Sequence, residues 1–232
     1  MCIRDRRESR EILASYGMSN MQLKLDHFFI MTAYGAPVGN KLQEIGLLEG
    51  APNDHPGQGT ANRRFFCANT TIELLYVRSH KETTTGSGSR LRFVDRMCSN
   101  TSPFGLVVRA DADVVDAPFS SWSYQPDYFP AGLFFLVGSN SDELQEPMCI
   151  CMPPRLPAPA SPPEPCNREW TMTALRICVP GEENSSVLNQ FSQCEGVEIL
   201  NGKPHLATIE FNHCELGQSR NFSPDLPLHI YW

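Results

Sequence analysis

Leu25-Asp26-His27-Phe28-Phe29-Ile30-Met31 is an apolar run broken only by Asp26 and His27, which predicts a strand from Leu23 to Thr32. On strict alternation Leu25, His27, Phe29 and Met31 share one face and Asp26, Phe28 and Ile30 the other, so an imidazole stands mid-strand. Val38, Leu42 and Ile45 then recur near helical spacing. Pro37 suits a first turn and Gly46 an end, which predicts a helix over Ala36 to Ile45. A short strand is expected around Leu47 to Glu49. Two runs rich in aromatic and β-branched residues, Arg63 to Cys67 and Thr70 to Val77, flank Ala68-Asn69; they predict a hairpin whose turn uses an Asn at positive φ. In its second strand Thr71, Glu73, Leu75 and Val77 share one face, and Ile72, Leu74 and Tyr76 the other. Both faces are mainly apolar, so Glu73 reads as a buried carboxylate. Such a group stays ionised only beside a cation, a metal or several donors.

Residues 79 to 101 are polar and read as a connection with a short helix at Arg90 to Met97. Phe104 to Arg109 is a strand, Pro118 to Pro130 an aromatic, proline-bearing loop, and Leu133 to Val137 and Pro147 to Met152 two further strands. Seven prolines from Pro153 to Pro165 exclude a helix or central strand and favour an extended surface crossing. In the final third a strand at Met172 to Val179, a helix at Glu183 to Phe191 and strands at Gly196 to Leu200, Leu206 to Phe211 and Leu226 to Tyr231 repeat the opening plan. Thr71-Ile72-Glu73-Leu74 aligns with Thr208-Ile209-Glu210-Phe211, a weak internal repeat in which the acidic position recurs.

Composition narrows the partners. With 232 residues and 41% hydrophobic content there is material for a real core. A net charge of -7 without a basic run argues against nucleic acid and against an anionic membrane surface, since phosphates call for a Lys/Arg footprint. A small-molecule ligand is the expected partner. No apolar run reaches the roughly 18 residues of a membrane span. Nine cysteines, an odd and scattered set, fit reduced thiols in a cytoplasmic protein, several of them packed as small hydrophobes. Asn-x-Ser/Thr sequons begin at Asn69, Asn100, Asn184 and Asn221 and are read as chance. Met1-Cys2-Ile3-Arg4-Asp5-Arg6 looks like translated adaptor, with Met18 or Met21 a plausible start, so residues 1–20 are set aside as a non-native leader.

A Leu-Asp-His strand, a β-α-β-β-β order, an Ile-Glu-Leu-Leu strand and a second copy of the plan together resemble the vicinal oxygen chelate superfamily. More narrowly, His55-Pro56-Gly57-Gln58-Gly59-Thr60-Ala61-Asn62 resembles the signature loop of its glyoxalase-like domain proteins. The resemblance covers residues 23 to 232 and is most specific in the first 80. It implies an α+β fold of paired β-α-β-β-β modules forming a cupped mixed sheet. The parts would be a first module at 23–78, middle strands at 102–152, the proline-rich crossing and a module at 172–232. The concave face would hold a divalent metal, Fe, Mn or Zn, and a small oxygenated substrate, as in isomerases, lyases, dioxygenases and drug-sequestering proteins; homodimers are common among such look-alikes. Carried over, the first-strand histidine falls on His27 and the fourth-strand glutamate on Glu73. The second module's glutamate falls on Glu210, while its first-strand ligand position holds Ala174. If the middle segment is the paired module, that position falls near Phe104 or Gly105. One imidazole and two carboxylates form a hard donor set that favours Mn or Fe, with Glu73 or Glu210 doubling as a catalytic base.

Each feature has a plainer counterpart. His27 and Glu73 also suit a buried hydrogen-bonded pair, and Glu210 a solvent-facing position beside polar Thr208 and Asn212. His55, Gln58 and Asn62 either reach substrate or belong to a loop shaped by Gly57 and Gly59 at positive φ. Trp122 and Tyr124 either cover a ligand or pack their rings on the sheet. Cys149-x-Cys151 lacks a second pair at zinc spacing and reads as core. Two functions follow: a metal-dependent lyase, isomerase or dioxygenase, or a non-catalytic protein that binds or sequesters a small molecule in the same cup.

Overall fold

The computed structural model describes residues 23–110, 119–152 and 163–232. Residues 1–22, expected above to be mostly leader, and most of the proline-rich crossing lie outside the described residues. β1 (Lys24–Met31), β2 (Asn53–His55), β3 (Thr60–Cys67), β4 (Thr71–Val77), β5 (Phe104–Arg109), β6 (Ser121–Tyr124), β7 (Phe135–Gly138) and β8 (Met148–Cys151) form one curled mixed sheet. Its order is β2-β3-β4-β1-β5-β8-β7-β6, with the short β9 (Cys166–Asn167) paired to β3. The helix between β1 and β2 is one short piece, α1 (Gly39–Gln43), and α2 (His80–Thr85) follows β4.

Two equivalent halves make this sheet. β1 runs parallel to β4 and β5 parallel to β8, while β1 and β5 meet antiparallel at the centre. The first module therefore pairs with the middle strands, not with the final third. That final third, β10 (Met172–Val179), α3 (Ser186–Phe191), β11 (Val197–Asn201), β12 (Leu206–Phe211), β13 (Ser219–Asn221) and β14 (Leu228–Tyr231), makes a separate sheet of order β11-β10-β12-β14-β13. It does not repeat the opening plan. β10 takes as its parallel neighbour the strand directly after its helix, whereas β1 takes the last strand of its module.

Alternation sorts the side chains as the pattern requires. Phe28, Ile30, Ile72, Leu74, Leu106 and Val108 point to the outer face, where they share one core with Leu175, Ile177, Ile209, Phe211, Leu228 and Ile230 of the second sheet. Each such side chain removed from water stabilises by about 1.5–3 kcal/mol, so this interlayer holds the two sheets together. Asn69 adds a polar clamp: its amide accepts from Met172 N at 3.0 Å and donates to Met172 O at 2.9 Å. That bracket replaces the positive-φ turn expected of Asn69, which is absent from the left-handed residues. A smaller apolar cluster, Phe29, Met31, Leu75, Leu91, Phe93, Val107, Val137, Met148 and Ile150 among its members, lines the inner face.

Three expectations are corrected. The strand placed at Leu47 to Glu49 lies instead at Asn53–His55, because Leu47 is drawn into the core and Leu48 is pinned through its N–H and C=O by Asn167. The aromatic loop contains a strand, Ser121–Tyr124, paired with β7. In β1 the register shifts between Leu25 and His27, a bulge that leaves Asp26 extra. Leu25 consequently packs with the outer core while His27 faces inward.

Candidate active site in the cup

The inner face forms an open cavity of about 250 Å³ lined by His27, Phe29, Asn53, His55, Gln58, Glu73, Leu75, Leu91, Phe93, Val107, Tyr124, Tyr128, Phe129, Phe135, Ile150 and Met152. A volume just below the roughly 300–1,000 Å³ typical of ligand sites suits a compact molecule.

His27 and Glu73 come to this cavity from adjacent parallel strands. The bulge sets Asp26 beside the ring of His27, whose Nδ1 lies 2.7 Å from Asp26 Oδ1; the other Asp26 oxygen accepts from Arg109 Nε. Burial opposes a charge on His27, but Glu73 and Asp26 overcome it and hold the pKa above the ordinary histidine value. Asp26 is lowered: burial works against its charge, and His27 and Arg109 outweigh it. Nε2 of His27 makes no hydrogen bond among the described residues. Glu73 accepts from Asn62 Nδ2 at 2.9 Å through Oε2, and its Oε1 has no such partner among the described residues. Arg64 stands opposite Glu73 in the ladder, yet it donates to Ala51 O and lies over the Phe66 ring.

His55 has the opposite character. Burial pulls its pKa down, and both ring nitrogens are occupied, Nδ1 by Thr60 Oγ1 at 3.0 Å and Nε2 by Asn53 Nδ2 at 3.2 Å. A neutral ring that donates from Nδ1 and accepts at Nε2 fits both contacts. Tyr128 lies over it, ring centroids 5.3 Å apart. Gln58 ties this wall together: it donates to Thr60 Oγ1 at 2.7 Å and accepts from Tyr124 Oη at 3.0 Å and Tyr128 Oη at 3.3 Å. Burial pushes the Tyr124 phenol up to about 12 and raises Tyr128 as well. Both loop glycines take φ +78, and a side chain at Gly59 would meet Thr83 N at 2.5 Å.

The other expected site residues fall elsewhere. Glu210 lies on the second sheet, opposite Ala174, where its carboxylate pairs with Arg176; it cannot join His27 and Glu73. The alignment failed because the two acids sit on strands of different topological rank. Asn62 is buried behind Glu73, holding its carboxylate and accepting from Asn53 N at 2.9 Å, so it positions Glu73 without lining the cavity. Trp122 also lies off the cavity, donating to Ser141 Oγ at 3.1 Å beneath the Arg90 guanidinium. Tyr128, Phe129, Phe135 and Asn53 were missed. Alternation in β7 could have found Phe135, but nothing local marks which rings of the aromatic loop turn inward.

The donor set does not fit a resident metal. The two-fold relation between halves equates His27 with Gly105, Phe29 with Val107 and Glu73 with Ile150. The second half thus offers no ligand where the first offers two. Among the described residues no three His, Cys, Asp or Glu side chains gather as a metal site, and three protein ligands are the usual minimum.

No protein-family profile and no curated protein matches the chain. Solved structures do. A hypothetical protein from Staphylococcus aureus superposes with a TM-score of 0.57 at 11% identity, over 90% of this chain and 98% of that one. A hypothetical protein from Bacillus halodurans gives 0.38 at 14% identity, over 59% and 98% of the two chains. A triple mutant of 4-hydroxymandelate synthase from Streptomyces coelicolor gives 0.42 at 12%, over 90% and 62%. The first likeness shows a shared fold; the TM-scores of the other two are too low to carry an argument. The architecture is α+β, a curled mixed sheet built from two paired halves. Among the described residues no helix is long and apolar enough to cross a membrane.

Proposed function

We propose that this chain binds a compact organic molecule in the cup, its apolar body against the second half of the sheet and an oxygen-bearing end at His27 and Glu73, without a metal gripped by protein ligands. The observation that carries this reading is the division of the cavity wall. Carboxylate and imidazole side chains come from β1, β2 and β4, whereas Val107, Ile150, Met152 and Phe135 come from β5, β8, the residue after it and β7; the Tyr124 and Tyr128 phenols that also reach the cavity are spent on Gln58. A His27 ring biased toward its charged form presents an Nε2–H donor, and Glu73 presents a free carboxylate oxygen.

Those two uncommitted groups also support a second, catalytic reading. Glu73 would take a proton from carbon next to a carbonyl, the C–H electron pair would move into the C–C bond and the carbonyl pair onto oxygen, and His27 would donate a hydrogen bond to that oxygen. The test is a thermal-shift and calorimetric screen of small aromatic carbonyl and phenolic compounds, in chelator and with added Mn, Fe or Zn. The expected result is binding that persists in chelator and weakens at least tenfold in Glu73→Gln. Near-stoichiometric metal in protein purified without chelator, together with binding that chelator abolishes, would overturn the metal-free reading. Exchange of substrate C–H for deuterium, lost in Glu73→Gln, would identify the catalytic case.

A further inference from the structure

We infer that Phe29 is the residue that sets the size of molecule the cup accepts, and that it restricts the site to a single ring with short substituents. The inference rests on the reading of the cup as a ligand site. Phe29 stands directly opposite Gly105 across the central antiparallel pair β1–β5. Its ring lies over that glycine: a Cβ at 105 would fall 1.9 Å from Phe29 Cζ and 2.0 Å from Cε1, distances no side chain tolerates. The ring therefore fills the floor position that a second-half side chain equivalent to His27 would occupy. It is held there by Phe93, edge-on with centroids 6.2 Å apart, and by the inner apolar cluster, so that Phe29 is only 4% exposed. Being two residues from His27 on the same face, it bounds the cavity on the side where a ligand anchored at His27 would extend.

Size follows from volume. A dry apolar cavity of roughly 150 Å³ takes one benzene, so about 250 Å³ above the Phe29 floor seats one ring with a polar substituent, and a second fused ring anchored at the same place would have to project from the open mouth. Phe29→Ala opens the floor above Gly105 and lengthens the cavity, while Gly105→Ala does the reverse, driving the Phe29 ring off its seat into the cavity.

The experiment compares 4-hydroxybenzaldehyde with 6-hydroxy-2-naphthaldehyde, probes with the same polar groups and one or two rings, by calorimetry on the full chain and its variants. The expected result is at least a tenfold preference for the one-ring probe in the unaltered protein and a reversal of that preference in Phe29→Ala. Gly105→Ala should weaken the one-ring probe severalfold, and Phe29→Leu supplies a smaller enlargement should the alanine variant fail to fold. A one-ring to two-ring ratio that stays within twofold across folded Phe29 variants would overturn the role of Phe29 and leave the cup reading standing. Failure of both probes to bind the unaltered protein at millimolar concentration would overturn both.

Discussion

In the first half of the large sheet β1 and β4 carry His27 and Glu73 to the cup; in the second, β5 and β8 carry Gly105 and Ile150 to the equivalent places. The backbone relation is nearly two-fold, with a parallel outer pair beside an antiparallel centre in each half. The carboxylate and imidazole chemistry is one-sided. Topology therefore fixes where groups can converge, and side-chain identity alone decides whether they do. A site made of one polar half and one apolar half is suited to a ligand that is itself polar at one end.

The sharpest way to break that contrast is to place an acid in the apolar half. Ile150→Glu puts a carboxylate at the position equivalent to Glu73, two strands from His27 with Val107 between them and with no cation on its neighbouring strands at that row. A loss of about 3 kcal/mol is expected at pH 8, from lost apolar burial and an uncompensated charge. Burial would raise the folded-state pKa of the new carboxylate. The deficit should then be greatest above that pKa and shrink as pH falls toward the unfolded value of about 4.3. Urea denaturation at pH 8 and pH 5 measures both; a variant as stable as the parent at pH 8 would mean the apolar half is wet.

A smaller loss is expected from the polar half when its scaffolding goes. Asn62→Leu leaves the Asn53 N–H and Glu73 Oε2 without their partner, costing about 1–3 kcal/mol, and frees Glu73 to swing. Ligand affinity should fall about tenfold even though Asn62 does not line the cavity. Unchanged affinity alongside the stability loss would restrict Asn62 to folding.

Within the polar half the two histidines oppose each other. His27, raised by Glu73 and Asp26 against burial, adds stability that is complete below the unfolded value near 6.5 and lost as pH rises through its folded pKa. His55, lowered by burial, adds stability that is complete above 6.5 and lost as pH falls through its lower folded pKa. The two act on opposite sides of 6.5, His55 below it and His27 above it. Measured between about pH 5 and 8, His27→Gln should leave only the rise below about 6.5, and His55→Gln only the fall above it. Equal slopes in the two variants, read by denaturation across that window, would contradict the assignment.

How much of this was legible from residues alone follows from the range over which each determinant acts. The inner and outer faces of β4 were readable, because parity along one strand places Glu73 with Leu75 and Val77. The bulge at Asp26 was not: strict alternation put Leu25 on the wrong face, and a bulge depends on how β5 lies alongside. The β6 strand was hidden in Ser121-Trp122-Ser123-Tyr124 because prolines on both sides suggested a loop, while β7 supplied the partner that makes it a strand. Gly105 was expected near the equivalent ligand position. That its blank space is occupied by Phe29 needed the register between strands some seventy residues apart.

The second sheet offers the gentlest test, since Glu210 shares a local motif with Glu73 but none of its surroundings. Its side chain is partly exposed, paired with Arg176, which also holds Glu198. Exposed ion pairs contribute about 0–1 kcal/mol, and Arg176 keeps a second carboxylate when Glu210 is removed. Glu210→Gln should therefore shift stability by less than about 0.5 kcal/mol, fading further with added salt, and should leave ligand affinity in the cup within twofold. Set beside the tenfold loss expected of Glu73→Gln, that result would assign the difference between two aligned glutamates to strand topology. A matching loss in both would instead mean that the second sheet reaches the ligand.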